Sequence, residues 1–162
     1  MGRDKSKLRI GGQTLLGRIR KTAKALEFPA RVIRRDLVPR CGPLGGVYTA
    51  LKTTSAEAVL FLACDMPQVS EPLLRKLLER ASRTKAIFTW SNGAAGFPFL
   101  LNRSTLSLVE KLMNGKRFSL QALASETRAK HFLAGRGLSA DLLNLNTPGD
   151  WSELKKAFAK KN

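Results

Sequence analysis

Histidine and cysteine are scarce in this 162-residue chain: His131 stands alone, and Cys41 and Cys64 are the only thiols. Without a CxxC pair, they argue against a structural zinc site and for reduced thiols. No Ser/His/Asp or Cys/His set suggests nucleophilic catalysis. Long apolar runs are missing as well. The best is AVLFLA at residues 58–63, far short of a membrane span, and no apolar segment follows the basic first residues as a secretory signal requires. A cytoplasmic protein with no membrane partner is the expectation. Acidic residues are few, 12 against 29 Lys and Arg, for a formal charge of +17. That field attracts polyanions, nucleotides or phosphorylated cofactors. The basic clusters Arg18, Arg20, Lys21, Lys24 and Lys155, Lys156, Lys160, Lys161 are not interleaved with base-stacking aromatics, so nucleic acid is not expected as a partner.

What is present alternates between helical and strand-like segments, the pattern of a mostly parallel sheet with helices packed on it. The length suits a single α/β domain. Leu15, Leu16, Ile19, Ala23 and Leu26 fall at helical spacing, and Pro29 is expected to stop that helix. Residues 31–35 read as a short strand ending at Asp36. Residues 58–63 read as the most buried strand, and Ser70 as the N-cap of a helix carrying Leu73, Leu74, Leu77 and Leu78. Residues 86–90 and 97–101 flank a glycine-containing turn and predict a hairpin, so this part of the sheet is expected to be antiparallel or mixed. Helices are predicted at 104–113 and 119–123, and short strands at 131–133 and 142–145. A final amphipathic helix from Pro148 is expected to bury Trp151, Leu154 and Phe158.

Three polar motifs fall at expected strand ends, where open α/β sheets bind ligands. Asp65, in Cys64-Asp65-Met66-Pro67, is placed to hold Mg²⁺, which takes one or two carboxylates plus phosphate oxygens and water. Its alternative, a helix cap, is better served by Ser70. Gly42, Gly45 and Gly46, in Arg40-Cys41-Gly42-Pro43-Leu44-Gly45-Gly46, allow close backbone approach at a helix start that favours an anion or polar ligand edge. Asp36 is expected to face the same crevice. In Asn144-Leu145-Asn146-Thr147-Pro148-Gly149-Asp150, alternation sends Asn144 and Asn146 to one side, while a strand end plus helix cap explains Thr-Pro-x-Asp.

In order along the chain, these segments resemble the molybdenum cofactor guanylyltransferase (MobA) family. The resemblance runs from Met1-Gly2-Arg3-Asp4-Lys5-Ser6-Lys7-Leu8 through Gly12-Gln13-Thr14-Leu15-Leu16, Asp36, the Gly42 to Gly46 segment and Asp65-Met66-Pro67. It continues through Gly115-Lys116-Arg117-Phe118-Ser119-Leu120 to the Asn144 to Asp150 segment. It implies a three-layer α/β/α, Rossmann-like (GT-A-like) nucleotidyltransferase that transfers GMP from GTP to molybdopterin and releases pyrophosphate, with Mg²⁺. By the same resemblance Lys5 contacts the nucleotide phosphates, Asp36 helps bind GTP, Asp65 holds the metal, and Asn144 and Asn146 lie on the pterin side. Molybdoenzyme chaperones or other cofactor-biosynthesis proteins are the further partners it implies.

Two departures accompany the resemblance. An apolar first strand and a Gly-Gly loop are expected before Met1, about a dozen residues at usual strand and loop lengths. Family members also carry a further strand and helix between the first helix and Asp36, and the nucleotide contact on that strand has no counterpart here. A cytidylyltransferase acting on the same cofactor, a sugar-phosphate nucleotidyltransferase and a non-catalytic anion-binding relative remain as alternatives.

Overall fold

The computed structural model describes residues 8–135, 137–145 and 147–159, leaving out the side chains of 148, 153 and 156–159. In chain order its elements are β1 (Arg9–Ile10), β2 (Gln13–Thr14), α1 (Leu15–Ala25), α2 (Gly42–Thr53), β3 (Ala58–Phe61), α3 (Glu71–Ala81), β4 (Ala86–Ser91), β5 (Ala94–Asn102), α4 (Leu106–Asn114), α5 (Leu120–Glu126), β6 (Lys130–Phe132) and α6 (Pro148–Ala159). They fall into two compact units, each woven from separated stretches of chain. One comprises the chain up to Ala30, Leu62–Leu73 and the chain from Gly135; the other comprises Arg31–Phe61 and Leu74–Ala134.

The second unit holds a four-stranded sheet in the order β3-β5-β4-β6. Asn92 and Gly93, both at positive φ (52° and 75°), make the two-residue turn that joins β4 to β5 as the expected hairpin. The β4–β5 register shifts between Phe88 and Thr89, so Phe99 faces Phe88 while Gly96 faces Thr89. Pro98 lies inside this bulge, where its missing N–H costs no ladder bond. The buried Thr89 hydroxyl donates to the Pro98 carbonyl at 2.6 Å. Phe88, Phe99, Leu101, Leu44, Leu51 and Leu112 form the core around this pair of strands.

The sheet corrects the expectation of mostly parallel strands. β3–β5 and β4–β5 are antiparallel, and only β4–β6 is parallel. The tight Asn-Gly turn enforces this, because a parallel neighbour needs a crossover connection. β3 is also less buried than its composition suggests: Ala58 is exposed and Val59, Leu60 and Phe61 are half-buried. It is an edge strand with β5 as its one partner among the described residues. The central β4 and β5 contain the fully buried runs.

In the first unit, Gly11 and Gly12 (φ 53° and 76°) turn β1 back onto β2. Thr14 then caps α1, its hydroxyl accepting from the Gly17 amide at 3.0 Å. Leu15, Ile10, Leu145 and Leu154 make a small core, with Leu8 and Trp151 packed at its margin. α1 ends ahead of Pro29, with Glu27 at φ 60° after its last turn, so a left-handed residue stops it rather than the proline.

Two expected strands are absent. Residues 31–35 pair with no strand among the described residues; the Arg31 guanidinium instead donates to the Thr53 hydroxyl. Residues 142–145 leave a single turn of 3₁₀ helix at Ser139–Leu142 and run on without a ladder. In α6, Leu154 is buried as expected and Trp151 only half-buried, while the Phe158 side chain lies outside the described residues.

Candidate functional site

The glycine motif at 42–46 does not precede α2; it is the first turn and a half of the helix. Pro43 suits that turn because its missing amide has no helical acceptor there. The Cys41 side chain makes no cap bond to the helix, leaving backbone donors at its start. Gly42 (φ 51°) lies against Phe118: a Cβ there stands 3.5 Å from the Phe118 carbonyl. The glycine motif and the 115–120 motif, far apart in sequence, therefore meet in space.

Asp36 and the Val38 carbonyl both lie close against Gly45. A Cβ on Gly45 falls 2.6 Å from the Asp36 Oδ2 and 3.2 Å from the Val38 carbonyl, whereas one on Gly46 comes no closer than 3.7 Å to Asp36 Oδ1. Thr49 holds this arrangement. Its buried hydroxyl accepts from the Leu37 amide at 2.9 Å and donates to the Gly45 carbonyl at 2.8 Å. Asp36 is thus positioned by the loop rather than by a strand end, which corrects the sequence expectation. Its carboxylate is exposed, unpartnered among the described residues, and set beside a helix N-terminus that favours negative charge.

Gly45→Ala is therefore expected to push the exposed Asp36 carboxylate aside and to press on the Val38 carbonyl, offsetting the gain of about 0.5–1 kcal/mol that alanine brings within a helix. Gly46→Ala, with only ordinary contact to meet, is expected to keep that gain and be the more stable of the two. Urea unfolding of the two variants checks this; equal stabilities would mean that Asp36 does not constrain Gly45.

In the first unit, Asp65 sits on a turn at residues 64–65, past the end of β3 rather than immediately after a buried strand. Its backbone carbonyl accepts from the Leu145 amide at 2.9 Å, and Leu145 and Met66 are buried. That bond ties the Asp-Met-Pro motif to the Asn-Leu-Asn segment. The Asp65 side chain is half-buried, with no hydrogen bond or ion pair among the described residues. Asn144 is exposed, while Lys5 and Asn146 lie outside the described residues. Thr147 and Asp150 cap α6 reciprocally: the Thr147 amide donates to Asp150 Oδ2 at 2.7 Å and the Asp150 amide to the Thr147 hydroxyl at 3.1 Å. Ser70 caps α3 as expected, its hydroxyl accepting from the Leu73 amide at 3.4 Å.

Among the described residues no group of three or more His, Cys, Asp or Glu side chains gathers as a metal cage. One unpartnered carboxylate on a buried-backbone turn fits the alternative, a magnesium ion that takes most of its ligands from phosphate and water. The described helices include none long and apolar enough to cross a membrane.

The fold is that of the α/β nucleotidyltransferases. Residues 20–134 match the model of the MobA-like NTP transferase domain, and the chain belongs to that family. It is 29% identical over 136 residues to a molybdenum cofactor guanylyltransferase of Syntrophotalea carbinolica, an alignment covering 77% of this chain and 63% of that protein. The chain thus spans a little under two thirds of that relative's length. In fold it resembles the molybdopterin-guanine dinucleotide biosynthesis protein A of Archaeoglobus fulgidus (TM-score 0.75, 17% identity, 98% of this chain and 92% of that one). It also resembles the 2-C-methyl-D-erythritol 4-phosphate cytidylyltransferase of Thermus thermophilus (TM-score 0.71, 15% identity, 96% and 93%). A further likeness is to Rv0371c of Mycobacterium tuberculosis, solved in complex with manganese (TM-score 0.59, 18% identity, 96% and 93%).

Proposed function

We propose that this chain carries the nucleotide-binding and metal-binding residues of a molybdenum cofactor guanylyltransferase. The observation that carries the reading is the Asp36 carboxylate seated over Gly45 at the start of α2, in a chain of the MobA-like family. An exposed carboxylate is a pair of acceptors, and guanine presents two adjacent donors, its ring N1–H and its exocyclic amine. Cytosine offers only its exocyclic amine on that edge. Asp36 therefore suits GTP better than CTP.

In the reaction the terminal phosphate oxygen of molybdopterin attacks the α-phosphorus of GTP. A P–O bond forms there, the bond to the β-phosphate bridge breaks, and pyrophosphate leaves with the electron pair. Such a transfer needs positioning and charge neutralisation more than a covalent intermediate. Asp65 holds the divalent cation, a role supported by its unpartnered carboxylate and by the manganese in the related mycobacterial protein. When bound, Mg²⁺ neutralises charge on the phosphates. Lys5 contacts the nucleotide phosphates, the glycines let the nucleotide approach the backbone, and Asn144 and Asn146 orient the pterin.

The test is pyrophosphate release from GTP or CTP with molybdopterin and Mg²⁺. GTP is expected to support turnover at least tenfold faster than CTP, and Asp36→Asn, which places a donor amide beside the base's donors, is expected to shrink that preference. A CTP preference, or a sugar phosphate replacing molybdopterin as acceptor, would overturn the guanylyl assignment.

A further inference from the structure

Beside the features so far described, a cleft of about 310 Å³ opens between the end of α5 and the β4–β6 pair, and no residue lining it figures in the nucleotidyl-transfer reading. Ala124 and Ala129 form its floor, and their small side chains leave the space. One wall is Trp90 stacked on His131, ring centroids 3.8 Å apart and 11° from parallel. The β4–β6 register pairs Phe88 with His131, which makes Trp90 the diagonal neighbour of His131 on the same face of the sheet. That stack holds an exposed imidazole in one orientation before any ligand arrives, which lowers the ordering cost of binding.

Around the rim stand Gln121, Ser125 and Arg128, all exposed. Among the described residues none of these side chains, nor the His131 ring nitrogens, has a hydrogen-bond partner, and Arg128 has no carboxylate partner. The nearby acid is already committed. Glu126 accepts from Lys111 at 2.6 Å and Arg117 at 3.4 Å, and the Lys111 hydrogen bond and charge, with Arg117 adding to them, hold its carboxyl below the usual range. The cleft therefore presents a guanidinium, an imidazole, a hydroxyl and an amide with no negative charge to balance them, on a chain of formal charge +17. Its volume lies at the lower end for small-molecule sites.

We infer that this cleft binds a small oxyanion carried on a single flat ring, an aromatic phosphate or carboxylate. Arg128 and His131 take the anion, and the Trp90–His131 wall takes the ring. Arg128 is held in place by the backbone. It follows the last turn of α5 at φ 48°, with its amide donating to Ser125 at 3.0 Å and the Ala129 amide to Ala124 at 2.9 Å, a helix-ending motif that glycine usually fills. This supplies a clean variant: Arg128→Gly removes the guanidinium while suiting the left-handed backbone.

The single histidine makes its imidazole resonance unambiguous in a proton NMR spectrum of the whole chain. Titration with phenyl phosphate, benzoate and neutral benzyl alcohol is expected to give saturable His131 shifts with the anions alone, and their relative midpoints tell phosphate from carboxylate. In Arg128→Gly the anion midpoint is expected to rise at least tenfold. The inference is overturned if no anion moves His131 saturably, if benzyl alcohol binds as well as the anions, or if Arg128→Gly titrates like the parent. Because the readout is binding, failure here leaves the nucleotidyl-transfer reading untouched, and failure of that reading leaves this one standing.

Discussion

Asp65→Asn is expected to lower Mg²⁺-dependent GTP turnover by about two orders of magnitude or more, while the melting temperature barely moves. The asymmetry follows from what the side chain does. The fold uses the Asp65 backbone carbonyl, which holds the Leu145 amide at 2.9 Å, and that bond survives the substitution. The half-buried carboxylate, without a described partner, contributes little to stability. An amide keeps its shape and loses the charge that attracts a hard cation. Pyrophosphate release across a magnesium series, with a thermal melt of the same preparation, reads both halves. Unchanged turnover removes Asp65 from the metal site; a large fall in melting temperature makes its role structural.

The largest expected effect on stability lies at Phe99. It is fully buried, with ring centroids 4.4 Å from Phe88, 4.8 Å from Phe61 and 4.9 Å from Phe97. One ring thus joins three others across β3, β4 and β5. Truncation leaves a cavity and strips those contacts, so Phe99→Ala is expected to cost about 3–5 kcal/mol, enough to unfold a marginal unit. Phe99→Leu keeps most of the volume and is expected to cost roughly half as much or less. Urea unfolding of the parent and both variants checks the order. A loss under about 1 kcal/mol for the alanine variant would show that the neighbouring rings collapse into the space.

Local signals in the sequence were dependable where the physics is local. The glycine-containing hairpin turn, the caps at Ser70 and Thr147, and the apolar spacing of α1 and α3 all depend on a few neighbouring residues. Strand pairing depends on distant partners, and there the reading failed. Val32 and Ile33 resemble a strand but join no ladder among the described residues. Residues 58–63 look like a central strand from apolar content, yet β3 occupies an edge, a position that composition cannot report. The expectation of mostly parallel strands followed from counting alternating segments without giving the hairpin enough weight.

The candidate site was legible by motif and not by geometry. The glycines and Asp36 were singled out, but nothing in the sequence says that the Asp36 carboxylate lies against Gly45. Thr49 was missed because a buried threonine within a helix has no distinctive pattern. The Trp90–His131 wall was missed because the two residues lie some forty positions apart and meet only through parallel pairing. A histidine that stands alone in the chain was the one available hint.

The separated stretches that make up each unit also set the length of chain over which its contacts close. Once Ala134 has been made, every residue of the sheet-bearing unit exists, and its hairpin joins neighbours only a few residues apart. The other unit has Ile10 and Leu15 from the first elements, yet their core partners Leu145 and Leu154 come near the end. Closing so long a loop carries a high entropic cost and rewards no contact until it is complete. The Asp65–Leu145 hydrogen bond therefore closes across about 80 positions of chain, while the approach of Asp36 to Gly45 closes within about ten.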